Sequence, residues 1–216
     1  MAWATSPLRI PSQTTLASSF KSLSSYGITD NLLQVLGSMG HITMAIDYYI
    51  QGTPGSPSLG AIARTRAAIQ KHVMLLPTAE ELNINPSSSL NIYECCRLTA
   101  IIFSIAVIFP IPNTYDVLQK LVKCLKAAIE SSCIEGNRAN CADCAGVSLW
   151  ILVLGGIAAL DKPERSWFVS RLALLVQSLE IDWTEAQHIL ENFLWLDIAC
   201  STGGRQLWNE VLNLVL

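Results

Sequence analysis

The chain has 216 residues, with 14 Lys+Arg against 17 Asp+Glu and a formal charge of −3. It is therefore neither a polybasic nucleic-acid scaffold nor a chain with an acidic tail. Apolar residues make up 51% and charged residues only 14%, where soluble domains carry about 25% charged, and this excludes disorder over most of the chain.

A compact monomer of this size exposes roughly 10,000 Å², about one charged side chain per 300 Å². That thin charge fits a helical protein whose outside is Ser, Thr, Asn and Gln, or a surface normally covered by another chain or domain. The seven cysteines, Cys95, Cys96, Cys124, Cys133, Cys141, Cys144 and Cys200, are odd in number and scattered through apolar surroundings. They predict a reducing interior rather than a disulfide framework. The first eleven residues lack a basic n-region and a continuous apolar run, so export is not expected. Residues 98–109 and 147–160 are apolar runs that fall short of the ~20 residues of a bilayer span; buried core helices, and no membrane, are expected.

In chain order, residues 1–28 are rich in Ser, Thr and Pro and read as a flexible leader. Residues 29–216 read as one all-α domain. From Thr29, Leu32, Leu33, Leu36, Met39, Ile46 and Tyr49 keep helical spacing, with Gly37 and Gly40 weakening the middle and Gly52-Thr-Pro-Gly-Ser-Pro as the stop. A second helix is predicted over residues 58–76, with Arg64, Arg66, Lys71 and His72 as a solvated basic face. Residues 83–89 form a polar loop, and the helix predicted over 90–109 is apolar nearly all round. Thr114 is placed to cap the next helix, in which Val117, Leu118, Leu121, Val122, Leu125 and Ile129 form one stripe opposite Lys120, Lys123 and Lys126.

After a Cys-, Asn- and Gly-bearing loop at 131–143 comes an apolar helix over 145–160. Asp161-Lys-Pro-Glu is predicted to start the next helix, with Asp161 as cap and Pro163 in the first turn. Its apolar residues are Trp167, Phe168, Leu172, Leu175, Val176 and Leu179. Thr184-Glu-Ala-Gln187 reads as a capping box for a helix running to 199. Thr202-Gly-Gly is expected to break the chain there before a last helix over 205–216. With no period-2 pattern competing, the fold expected is an all-α bundle or stack of about eight helices.

Chemistry is sparse. Cys141-Ala-Asp-Cys144 with Cys133 has part of a zinc spacing, but a second pair is missing, and no strand precedes it as a redox Cys-x-x-Cys requires. His188 stands three residues from both Glu185 and Glu191, which reads as a surface contact; His41 and His72 have no paired carboxylate at a useful interval. There is no nucleophile elbow, phosphate cradle or His-Glu-x-x-His motif. Gly155-Gly156 sits among apolar residues and reads as close helix packing. No catalytic, cofactor-binding or metal residue is assigned. Trp167, Trp183, Trp195 and Trp208 crowd the last fifty residues, either knitting the final helices together or walling a pocket for a small effector.

Six pieces in order carry a resemblance: Glu94-Cys-Cys-Arg-Leu-Thr-Ala-Ile-Ile-Phe-Ser, Phe109-Pro-Ile-Pro, Leu149-Trp-Ile-Leu-Val-Leu-Gly-Gly-Ile-Ala-Ala, Arg165-Ser-Trp-Phe-Val, Phe193-Leu-Trp-Leu-Asp and Leu207-Trp-Asn-Glu. Together they resemble the C-terminal part of the fungal-specific transcription factor domain, over roughly residues 66–211. The resemblance implies an all-α regulatory domain in the nucleus, normally downstream of a zinc binuclear cluster that binds DNA through six cysteines and two zinc ions. Residues 1–28 contain no cysteine, so sequence-specific DNA binding by this chain is not carried over, and the charge of −3 offers little to phosphates. The expectation is a non-enzymatic transcriptional regulator acting through a protein partner or a homodimer, in regulation of a metabolic pathway and open to a small-molecule effector. The alternative is an enzyme or small-molecule-binding protein reusing the scaffold.

Overall fold

A computed structural model describes residues 18–84, 92–110, 114–132 and 142–215. Eight α-helices appear in order: α1 (Asp30–Ile50), α2 (Leu59–Met74), α3 (Tyr93–Phe103), α4 (Tyr115–Ser131), α5 (Ala142–Ala158), α6 (Arg165–Leu179), α7 (Trp183–Glu191) and α8 (Asp197–Val215). A 3-10 helix (Ser18–Tyr26) precedes them, a π turn (Ser104–Ile108) extends α3, and no strand occurs among the described residues. The all-α expectation of about eight helices holds.

Two of the starts follow the side-chain logic of the sequence. The Thr29 hydroxyl accepts the Leu32 N–H at 3.3 Å, and the Ser58 hydroxyl accepts the Ala61 N–H at 3.3 Å, each satisfying a donor that has no partner inside the helix. α1 stops where the chain turns through Gly52 and Gly55 at φ of 65° and 83°, a backbone that costs glycine little.

The organising element is α5. It has no polar face, and residues 145–156 are all buried. It packs against the 3-10 helix and against α3, α4, α6, α7 and α8. Trp150, fully buried, donates its indole N–H to the Leu194 carbonyl at 2.9 Å. Gly155 and Gly156 set how near the neighbours come. A methyl on Gly155 would lie 2.5 Å from Phe168 Cε1 and 2.9 Å from Leu125 Cδ2, and one on Gly156 would lie 2.6 Å from Leu207 Cδ2.

Several expectations are corrected. The stretch read as a leader is folded in its second part: Phe20 and Leu23 are 1% and 0% exposed. The Phe20 ring meets Trp150 and Phe193 edge-on, at 5.0 Å each. A 3-10 helix repeats every three residues, so Phe20, Leu23 and Tyr26 line one edge, and three apolar residues suffice where composition suggested a loose segment. Residues 1–17 lie outside the described residues.

The helix expected to start at Asp161 starts at Arg165 instead, because residues 161–164 form the turn itself. Asp161 takes a left-handed φ of 58°, and Glu164 stands at the cap position without a side-chain cap bond. Thr114 likewise occupies its cap position without capping. The capping box of α7 lies two residues earlier than expected: the Asp182 carboxylate accepts the Glu185 N–H at 2.9 Å and Glu185 accepts the Asp182 N–H at 3.0 Å. Two carboxylates at a helix N-terminus outdo Thr and Gln there because they also meet the positive end of the helix dipole. α7 then ends at Glu191, ahead of the expected end, and α8 runs unbroken through Thr202-Gly-Gly. These glycines act as packing sites: a methyl on Gly204 would lie 2.6 Å from Trp183 Cη2, and one on Gly203 would lie 3.0 Å from Ile157 Cγ2. Finally, the helix expected to reach Phe109 widens after Phe103, with the Phe109 N–H donating five residues back to the Ser104 carbonyl at 2.7 Å.

Two glycine substitutions should act in opposite directions. Gly155→Ala overpacks the α4–α5–α6 contact and should destabilise the protein by about 1–3 kcal/mol. Gly37→Ala meets nothing within 4 Å and should stabilise α1 by about 0.5–1 kcal/mol. Urea unfolding followed by circular dichroism reads both.

Candidate functional site

Three of the four C-terminal tryptophans do meet. The Trp183 ring lies 6.4 Å from Trp195 and 5.5 Å from Trp208, both edge-on, over the bare backbone of Gly204. The Trp195 indole N–H donates to Asp197 Oδ1 at 3.3 Å, as does the Gln187 amide at 3.1 Å, and the Ser201 hydroxyl joins them. Arg205 lies over Trp183 with its guanidinium carbon 5.5 Å from the ring centre, and the buried Trp183 indole N–H has no hydrogen-bond partner among the described residues. The corner is a packed aromatic joint between α7 and α8. Trp167 is not part of it.

Two ionic clamps tie helices down. Arg97 holds Glu94 through two bonds of 2.9 and 2.6 Å, and the same carboxylate accepts the Ala79 N–H at 3.0 Å, which links α3 to the chain leaving α2. Arg165 holds Glu210 through bonds of 2.9 and 2.8 Å and also donates to the Gly156 carbonyl. One guanidinium thus joins α5, α6 and α8.

The residues weighed for chemistry are dispersed. His188 Nδ1 lies 3.5 Å from Glu191 Oε2, with the imidazole 75% exposed; this is the surface contact expected, and Glu185 is occupied in its capping box. Partial burial and the neighbouring Lys71 lower the His72 pKa. Cys95 and Cys96 lie side by side in the core, where burial pushes the Cys95 thiol up to about 12 and the Cys96 thiol well above its ordinary value. Burial likewise takes Cys200 to about 11. None of these three is a thiolate at neutral pH, so none is a ready nucleophile or metal ligand. Cys133 and Cys141 lie outside the described residues, and among the described residues no three His, Cys, Asp or Glu side chains gather to hold a metal. Nor is any described helix long and apolar enough to cross a membrane. The basic face expected on α2 is divided: Arg64 and Lys71 are exposed, whereas Arg66 and His72 are partly buried, with the Arg66 guanidinium 4.9 Å from the centre of the Phe109 ring.

The surface feature that sequence reasoning missed is on the outside of α6. Trp167, Arg171 and Leu174 follow one another at helical spacing, and Leu174 is 58% exposed. Lys126 reaches over from α4, so that it and Arg171 both lie 5.5 Å from the Trp167 ring centre, while Phe168 meets that ring edge-on at 4.9 Å from beneath. The signal was present as the i, i+4, i+7 run from Trp167 to Leu174, but Lys126 could be added only once α4 and α6 were seen as neighbours.

Comparison of the chain with protein-family models, with curated proteins and with solved structures gives no match. The class of protein defined by the structure is an all-α helical bundle.

Glu210 is held below the ordinary glutamate value of 4.5, first by its hydrogen bonds to Arg165. Its contribution to stability is therefore complete above that value and lost as pH falls through the lower, folded-state value. Glu210→Gln should lower stability at pH 7 and flatten its fall as pH drops below the ordinary glutamate value, measured by urea unfolding. In a second test, alkylation at pH 8 followed by peptide mapping should label the exposed Cys124 quickly, and Cys95, Cys96 and Cys200 only after denaturation.

Proposed function

We propose that this chain is a regulatory domain of a transcriptional regulator, non-enzymatic and nuclear, whose work is done on other proteins rather than on DNA. The observation that carries the reading is that the last four of the six pieces behind the resemblance to the fungal-specific transcription factor domain are joined by direct contacts. Arg165, which opens the fourth piece, grips Glu210 in the last and the Gly156 carbonyl in the third. Trp150 in the third donates to Leu194 in the fifth at 2.9 Å, and Gly156 lies beneath Leu207. Segments scattered over the second half of the chain are thus parts of one physical unit, which supports reading them together. A core this apolar makes a rigid platform, and a rigid platform suits presentation of helix faces to partners.

The test fuses the full chain to an unrelated DNA-binding module and measures a reporter carrying that module's site in fungal cells. A change of about fivefold or more over the module alone is expected. An unchanged reporter despite nuclear accumulation of the fusion, or turnover of a substrate by the purified chain, overturns the reading.

A further inference from the structure

We propose that the 3-10 helix is a hinged strap, and that the aromatic slot it fills takes a Phe-x-x-Leu turn of a partner protein when the strap lifts. The proposal rests on the chain being a domain that works on other proteins, and names one place where such a protein docks and what it must carry. The strap is polar outside and apolar inside. Lys21, Ser22 and Ser24 are exposed, while Phe20 and Leu23, three residues apart, are 1% and 0% exposed. Two fully buried side chains thus anchor nine residues, wound in a helix whose hydrogen bonds are poorer than those of an α-helix. Its backbone is tied to the rest at the two ends: the Ser19 N–H donates to the Asn192 carbonyl and the Ile92 N–H to the Tyr26 carbonyl, both at 3.3 Å. An element held this way belongs to the part of a fold that opens locally.

The strap can lift without undoing what flanks it or what lies beneath it. Gly27 is exposed, with φ at 77°, and glycine changes its backbone angles at little cost. Directly after it, Ile28 is 5% exposed and the Thr29 hydroxyl caps α1 through the Leu32 N–H, so α1 keeps its own start. The walls of the slot are fixed by contacts that the strap does not make. The Trp150 indole is held by the Leu194 carbonyl, and Phe193 lies against the bare backbone of Gly146, where a methyl would come 3.0 Å from its Cε2. These two rings are stacked, 6.3 Å apart at 19°, and Phe20 stands nearly perpendicular to both, at 81°. A preformed aromatic slot rewards any segment that brings the same ring. What that segment must carry is read from the strap itself: an aromatic ring, two residues facing water, then leucine. Reciprocal exchange of straps between two copies is disfavoured by the hinge. Residues 27–29 span about 10 Å at full stretch, which would press two whole domains together, whereas a partner's free segment meets no such limit.

Two measurements on the full chain test this. Leu23→Cys places a thiol under the strap, and the buried Cys96 and Cys200 serve as internal clocks for opening of the core. Alkylation at pH 8 should label the introduced thiol at least about tenfold faster than Cys96. The second measurement uses a fluorescein-labelled peptide with the strap's sequence, Ser-Ser-Phe-Lys-Ser-Leu-Ser-Ser-Tyr, and the Ser19→Pro chain. That substitution removes the N–H bonded to Asn192 and leaves the core side chains in place; circular dichroism verifies the fold. Fluorescence anisotropy should show saturable binding, at least about fivefold weaker to the wild-type chain, whose intact strap competes, and none for a peptide with Ala in place of Phe. The proposal is overturned if the introduced thiol reacts only at the pace of Cys96, if the peptide binds neither chain, or if the Ala peptide binds as well. A dimer in sedimentation velocity that the free peptide dissociates also overturns it, because a second copy is then the occupant. Neither measurement involves transcription. A working reporter with a peptide that fails to bind removes the slot and leaves the regulatory role standing, and a bound peptide with a silent reporter does the reverse.

Discussion

The fold is governed by the need to enclose a helix that has no polar side. α5 runs apolar around its whole circumference, so every direction away from its axis must be filled by another element before burial is complete. The 3-10 helix, α3, α4, α6, α7 and α8 do this, and their number is set by the circumference to be covered. A helix with one greasy stripe is content with one or two neighbours; this one requires a ring. The glycines at 155 and 156 let that ring close tightly, since they bring Phe168, Leu125 and Leu207 to where a side chain would otherwise stand.

A ring of greasy contacts sets distance but is indifferent to rotation and slide, and the polar bonds supply the missing constraint. The Arg165 guanidinium meets a carboxylate on α8 and a carbonyl at the end of α5, which fixes three helices relative to one another. Its planar, forked donors suit that task in a way lysine could not match. The Trp150–Leu194 bond does the same for the link between α7 and α8. These bonds are few, but each lies where hydrophobic packing alone allows several arrangements.

Helix content, the buried character of α5 and the close-packing role of Gly155-Gly156 were legible from residue pattern alone. Boundaries were less so, for reasons visible at particular residues. Asp161 and Asp182 are both plausible caps by type, yet one is spent in a left-handed turn and the other caps, and the choice depends on how α5 and α6 must approach each other. Gly203-Gly204 has the composition of a break, and only contact with Ile157 and Trp183 turns it into a packing seam. Phe20, Leu23 and Tyr26 went unnoticed because a period of three is neither the helical 3.6 nor the strand period of two. Lys126 of α4 and Trp167 of α6 meet across more than forty positions of sequence, and Lys126 drew attention only as part of the side of its helix opposite the apolar stripe.

The 3-10 helix near the front of the chain rests on residues near its end: Phe20 touches Phe193, and the Ser19 N–H donates to the Asn192 carbonyl at 3.3 Å. During translation, α5 therefore leaves the ribosome before the last of its cover exists, and the final wall of the interior can be laid only once α7 and α8 have been made. A nascent chain in that condition displays a long oily segment and invites chaperones. Its yield in a cell should accordingly depend on their supply more steeply than its finished stability would suggest.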